Sequence, residues 1–174
     1  MKCIDNYISE KLHLKGGMGG YMHSPNDKYE LAQLIGERIA QNGVKKFNGD
    51  LNDIDVSNIE DFTSLIVLIN KSAIKINTKL DKPHIMKRIF CNVDISKWDV
   101  SNMKNAQGMF MDCKNFNCDL SNWNVKNLEN GNAMFAGCEN LDFDISKWNP
   151  EKININKTWR MIVNTKLEKQ DWMR

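Results

Sequence analysis

Apolar residues recur along this chain at an offset of 25 positions, marked most plainly by Trp98, Trp123 and Trp148. Ile95, Leu120 and Ile145 keep the same register three residues earlier. Between the tryptophans lie Val100 and Val125, Met103 and Leu128, Met109 and Met134, Phe110 and Phe135, Cys113 and Cys138, then Phe116 and Leu141. Polar positions obey the offset too, as Asp94, Asp119 and Asp144 and the pair Asn102 and Asn127. Self-similarity at a fixed offset is the signature of a repeat architecture. Within each unit D-I/L-S-x-W alternates apolar with polar, the period of a short half-buried strand. Met103, Ala106, Met109 and Phe110 then fall three to four apart, which predicts a short helix ending near Asp112, and near Gly137 one unit later. One strand and one short helix cannot bury their apolar stripe alone, whereas stacked copies share a continuous core. The pattern therefore predicts an α/β solenoid of 25-residue strand–helix coils. Its structural ladder is made of Trp98, Trp123, Trp148, Phe110, Phe135, Cys113, Cys138, Asn102 and Asn127.

Residues 50–66 fit the template with Leu51, Ile54, Val56, Asn58, Ile59, Leu65 and Ile66, and so read as a divergent first coil. Asp50 and Asp94 are 44 residues apart instead of 25, which places an insertion of 19 within 67–90. There Val67, Ile69, Ile74, Ile76 and Leu80 alternate as in a hairpin or an extra strand pair, with Lys71, Lys75, Lys79, Lys82, Lys87 and Arg88 displayed outward. Exposed terminal coils need covering. Residues 24–43 read as a helical cap with Ser24 or Asn26 as N-cap, a stripe of Leu31, Leu34, Ile35 and Ile39, and Gly43 as the stop. After Pro150 the template breaks, and Ile153, Ile155, Trp159, Met161, Ile162, Leu167 and Trp172 supply a degenerate C-terminal cap. The expected organisation is an extension and capping helix over 1–46, repeats over 47–150, and a C-terminal cap over 151–174.

The repeating W-D/N-V-S/K-N-M/L-x-N-x-x-x-M-F-x-x-C-x-N-F/L-x-x-D-L/I-S-x-W resembles the BspA-type leucine-rich repeat family, also called the DUF285 repeat. The resemblance covers about 50–150 and is tightest over 94–148; over 50–66 Ile54 stands where the motif has Trp. It implies a short leucine-rich-repeat-like array. Members occur in bacterial, mycoplasma and phage proteins and are commonly surface proteins that bind other proteins.

Composition narrows the function. Forty-one per cent hydrophobic residues, with five Trp and seven Phe, suffice for a packed core. The opening MKCIDNYISEKLHLKGG lacks an apolar signal region and cleavage site, so the expected location is the cytoplasm of a bacterial cell or phage-infected host, with no membrane association. Net charge is +2, too little for a strongly basic nucleic-acid binder, but it is segregated: 47–66 carries −5 and 67–90 carries +5. Cys113, Cys118 and Cys138 lack zinc-site spacing, and Asp94, Asp119 and Asp144 give one carboxylate per coil where calcium needs six to eight oxygens, so these aspartates read as turn caps. The glycines of KGGMGGY lack the Lys-Ser/Thr of a phosphate loop and read as a hinge, and His13, His23 and His84 have no nucleophile context. Neither a catalytic residue nor a cofactor is expected.

The reading that follows is a non-catalytic protein-binding module. Two surfaces carry it: the basic insertion (Lys71, Lys75, Lys79, Lys82, Lys87, Arg88) and an outward row on the strands (Ser96, Lys97, Ser121, Asn122, Ser146, Lys147). By resemblance, the partner would be a protein or ribonucleoprotein of a bacterial host, such as a defence (CRISPR-type) nuclease that a phage product inhibits or redirects. The alternatives are RNA binding through the basic insertion and surface adhesion.

Overall fold

A computed structural model describes residues 23–42, 49–76, 93–169 and 171–173. In it each 25-residue unit is a run of tight turns. Trp98 N–H donates to Ile95 C=O, Met103 to Val100, Met109 to Ala106, Cys113 to Phe110 and Phe116 to Cys113, at 2.9–3.1 Å. The next unit repeats the series from Trp123 to Leu141. Every turn thus opens and closes on an apolar position, and those positions are buried.

The expected α/β solenoid of strand–helix coils is therefore incorrect, and with it the leucine-rich-repeat arrangement. Among the described residues, ladder pairing is confined to four isolated parallel bridges, and the two α-helices both precede residue 77. Two physical causes explain the difference. In D-I/L-S-x-W the aspartate takes the N–H two residues on, as Asp94 does from Ser96 and Asp119 from Ser121, which curls the backbone where a strand would extend it. In the segment read as a helix, residues in the left-handed region interrupt any helical run: Gly108 (φ 59°) and Asp112 (φ 61°), then Ala133 (φ 53°) and Gly137 (φ 77°).

Backbone donors freed by this geometry bind the neighbouring coil. Ala106, Gly108, Phe110 and Asp112 donate to the carbonyls of Asn130, Asn132, Met134 and Ala136 at 2.7–2.9 Å. Gly131, Ala133, Phe135 and Gly137 donate in turn to Lys157, Trp159, Met161 and Val163. Coils beginning at Asp50, Asp94, Asp119 and Asp144 thus stack in chain order. The offset from donor to acceptor grows from 24 (Phe110 to Met134) to 26 (Phe135 to Met161), because the last coil accommodates a 3₁₀ turn at Ile155–Lys157.

Inside the stack, Phe110 lies flat on Phe135 (5.5 Å between centroids, 2° between planes) and on Phe116 (4.4 Å). Each indole leans on a phenylalanine one coil back: Trp98 on Phe62, Trp123 on Phe110, Trp148 on Phe135, at 6.0–6.4 Å.

The first coil departs from the others at Leu65. Instead of a second set of turns it forms helix α2, Leu65–Ile76, which buries Leu65, Ile66, Ile69 and Ala73 and exposes Val67, Lys71 and Lys75. That spacing is helical, so the hairpin or strand pair expected over 67–80 is incorrect for the described part of it. Helix α1, Lys28–Asn42, covers α2 and the first coil with Leu31, Leu34, Ile35 and Ile39. Its N-cap is Asp27, whose Oδ1 accepts from Tyr29 and Glu30 N–H, where the sequence suggested Ser24 or Asn26. The helices meet at Gly36, where a Cβ would stand 2.9 Å from Ser72 Cβ and 3.0 Å from Ala73 N. Arg38 grips Asp53 through two 2.6 Å bonds, and Lys28 reaches Asp61 at 2.6 Å.

Gly108 and Ala133 hold one left-handed position in consecutive coils, and a Cβ at Gly108 meets nothing closer than 3.9 Å. Their exchange isolates the backbone effect. Ala133→Gly should stabilise and Gly108→Ala destabilise, each by about 0.5–1 kcal/mol. Urea midpoints at constant slope measure both; equal signs would contradict the assignment.

Candidate protein-binding surfaces

Recurrent polar side chains are engaged in joining one coil to the next. Trp98 Nε1 donates to Leu51 C=O, Trp123 Nε1 to Ile95 and Trp148 Nε1 to Leu120, at 2.9–3.2 Å in the buried interior. Asn102 Nδ2 reaches Ser57 C=O and Asn127 Nδ2 reaches Ser101 C=O. Cys138 Sγ lies 3.1 Å from Phe110 C=O, and both Cys138 and Cys113 are buried. These residues bind backbone that the bends would otherwise leave unpaired.

The row expected on strand faces sits instead on turns. Ser96 gives both its N–H and its hydroxyl to Asp94, and Ser146 does the same to Asp144. Ser121 gives its N–H to Asp119. Lys97, Asn122 and Lys147 are exposed beside them at one position of successive coils. The row is thus a ridge on which cationic or amide side chains alternate with carboxylates. Hydrogen bonds from the Ser96 N–H and hydroxyl hold the Asp94 carboxyl below the ordinary carboxylate value, and those from Ser146 do so for Asp144.

Of the basic insertion, Lys71 and Lys75 are exposed on α2, while Lys79, Lys82, Lys87 and Arg88 lie outside the described residues. Beside the ridge, Cys118 lines a hollow with Asp94, Ser96, Asn115 and Asp119. Burial first, then the Asp94 and Asp119 carboxylates, push its thiol up to about 11 against an opposing backbone bond from Ile95. A protonated thiol is a poor nucleophile.

A further surface was missed in the sequence. Trp159 C=O accepts from Ala133 as Asn132 C=O accepts from Gly108, so Trp159 occupies a position held by Asn132 and Gln107 in earlier coils. It is 68% exposed, with the Arg160 guanidinium 5.4 Å from its ring centroid. Val163, at the position of Met111 and Ala136, is also exposed. Together with Ile162, Lys169 and Met173 they line a groove of about 480 Å³. The signal was an indole in a column otherwise filled by amides, concealed by the change of register.

The family model described as "Mycoplasma protein of unknown function, DUF285" matches residues 84–173, just over half of the chain. The chain belongs to the DUF285 family. No curated protein and no solved structure matches it. Among the described residues, no helix of this DUF285 protein is long and apolar enough to cross a membrane.

Titration of the charged anchors sets the acid behaviour of the fold. Burial would raise the Asp53 carboxyl, but Arg38 outweighs it and the value is lowered; Lys28 and the Thr63 bonds do the same at Asp61. Burial and then Arg38 lower the His23 imidazole. In all three the unfolded chain takes up protons more readily, so each contribution is complete above the unfolded value and declines as pH falls through and below it. Melting midpoints should hold from pH 8 to about 7, decline slightly below about 6.5 as His23 is protonated, and fall steeply below about pH 4. His23→Gln should remove the first decline and Asp53→Asn should flatten the second. A midpoint unchanged at about pH 3 would contradict the role of these pairs.

Proposed function

We propose that this DUF285 protein is a non-catalytic protein-binding module. The observation that supports the reading most directly is the division of labour among its polar residues. Side chains that repeat hold backbone: the aspartates cap turns, and the asparagines and indoles bind carbonyls one coil away. Side chains that vary from coil to coil face outward, as Lys97, Asn122 and Lys147 do on the ridge and Gln107 and Trp159 do along another column, where Asn132 is half-buried. A rigid frame with variable outward positions is the chemistry of recognition. The finer form, in which the partner is a host protein such as a defence nuclease and contact blocks or redirects it, rests on the sequence resemblance.

Affinity capture from the native cell, followed by light scattering of the purified complex, tests the proposal. One partner protein in fixed stoichiometry is expected. Reversal of Lys71, Lys75, Lys79, Lys82 and Lys87 to Glu should abolish capture if the insertion makes the contact; otherwise Lys97→Glu with Lys147→Glu, or changes at the last coil, should weaken it about tenfold or more. Absence of any stoichiometric protein complex, or an RNA shift lost at raised salt in its place, would overturn the reading.

A further inference from the structure

The last coil ends the stack with an open edge. In each earlier coil, alternate N–H groups of the turn segment donate to carbonyls of the coil that follows. The equivalent donors here include Arg160, Ile162 and Asn164, and among the described residues no acceptor meets them. The carbonyls of this segment are engaged: Thr158 C=O accepts from Met161, Arg160 C=O from Val163, and Ile162 C=O from Thr165. Over 158–163 the edge therefore offers donors only. They are spaced every second residue, as are the carbonyls of Asn130, Asn132, Met134 and Ala136 that meet the donors of an earlier coil. Beside them runs the groove of Trp159, Ile162, Val163 and Met173, flanked by the cations of Arg160 and Lys169.

We infer that this edge binds an extended acidic segment of another protein, which adds to the stack as its next rung. The inference deepens the protein-binding reading above and rests on it. Main-chain carbonyls of the segment accept from Arg160, Ile162 and Asn164, its apolar side chains rest on Trp159 and Val163, and its carboxylates meet Arg160 and Lys169. A second copy of this chain fits poorly. Its own last edge also carries donors, and its first coil lies beside α1, with Asp55 N–H on His23 C=O and Lys28 and Arg38 of α1 on Asp61 and Asp53.

The test uses a fluorescein-labelled, end-capped peptide of about ten residues in which valine and glutamate alternate, its valine–lysine counterpart, and a short oligouridylate. Fluorescence anisotropy should show saturable binding of the glutamate peptide alone. Arg160→Glu and Lys169→Glu should each weaken it about tenfold, whereas Lys126→Glu, an exposed residue that does not line the groove, should not. Amide exchange on the unmodified protein should slow at Arg160, Ile162 and Asn164 when the peptide is added. No binding of the glutamate peptide, tighter binding of oligouridylate, or protection confined to other amides would overturn the inference. If a partner captured from the cell binds the Arg160→Glu and Lys169→Glu variants unchanged, the edge site falls while the protein-binding reading stands.

Discussion

Each coil depends on the backbone hydrogen bonds it makes to the next. Left-handed residues at Gly108, Asp112, Ala133 and Gly137 prevent the turn segments from closing into helices, which would have satisfied their own donors. The residues that release them are buried or half-buried except Asp112, and an unpaired buried donor is unfavourable by about 1–3 kcal/mol. A neighbouring coil supplies the acceptors. Stacking is thus required by the backbone conformation before any side chain contributes. The Phe110–Phe135 contact and the indole bonds then choose among registers, since a slip of one residue would place Trp123 Nε1 against no carbonyl.

The same dependence explains which features were legible in the sequence. The period of 25 survives because every coil must present the same groups at the same heights, so Asp94, Trp98 and Asn102 cannot drift independently of their counterparts. The divergent first coil was legible for that reason: Asp50 bridges Asp94, and Ser57 C=O receives Asn102 Nδ2, even though Ile54 replaces the indole. Local conformation was less legible. Apolar residues three apart mark both a helix and a chain of three-residue turns, and Met103, Ala106 and Met109 satisfy either. What separates them is the sign of φ at Gly108 and Ala133, and an alanine carries no warning of a left-handed position. Over 67–76 the error ran the other way. Val67, Ile69, Ile74 and Ile76 alternate, but the buried set Leu65, Ile66, Ile69 and Ala73 is helical, and Gly36 on α1 is the residue that permits the approach.

The polar columns also separate frame from display more sharply than composition does. Asp94 and Asp144 are spent on serine N–H and hydroxyl groups two residues away, which is why a column of carboxylates along the ridge coexists with lysines without forming a concentrated negative site. The hydroxyls of Ser96 and Ser146 are consumed in the same bonds, whereas Ser121 gives only its N–H. Between the exposed carboxylates, the side chains of the ridge that differ in charge from coil to coil are Lys97, Asn122 and Lys147.

The two ends of the stack solve the edge problem differently. At the first coil, His23 C=O receives Asp55 N–H, Arg38 and Lys28 clamp Asp53 and Asp61, and α1 lies over the apolar side, so the edge is closed by polar and apolar contacts together. At the last coil, the side chains that cover the interior, Leu167 and Met173, come from the chain beyond Thr165, but among the described residues no acceptor meets the N–H groups of Arg160, Ile162 and Asn164. Natural proteins blunt such edges with charge and irregularity. Here Arg160 and Lys169 supply the charge, yet Trp159 adds an indole where earlier coils carry Gln107 and Asn132, and Val163 is exposed as Met111 is at the same position. An edge evolved only to repel would keep the amides. Indole, valine and two cations beside a donor row make a surface complementary to an extended acidic chain and repulsive to a copy of itself, so selectivity arises from the absence of acceptors as much as from the charges.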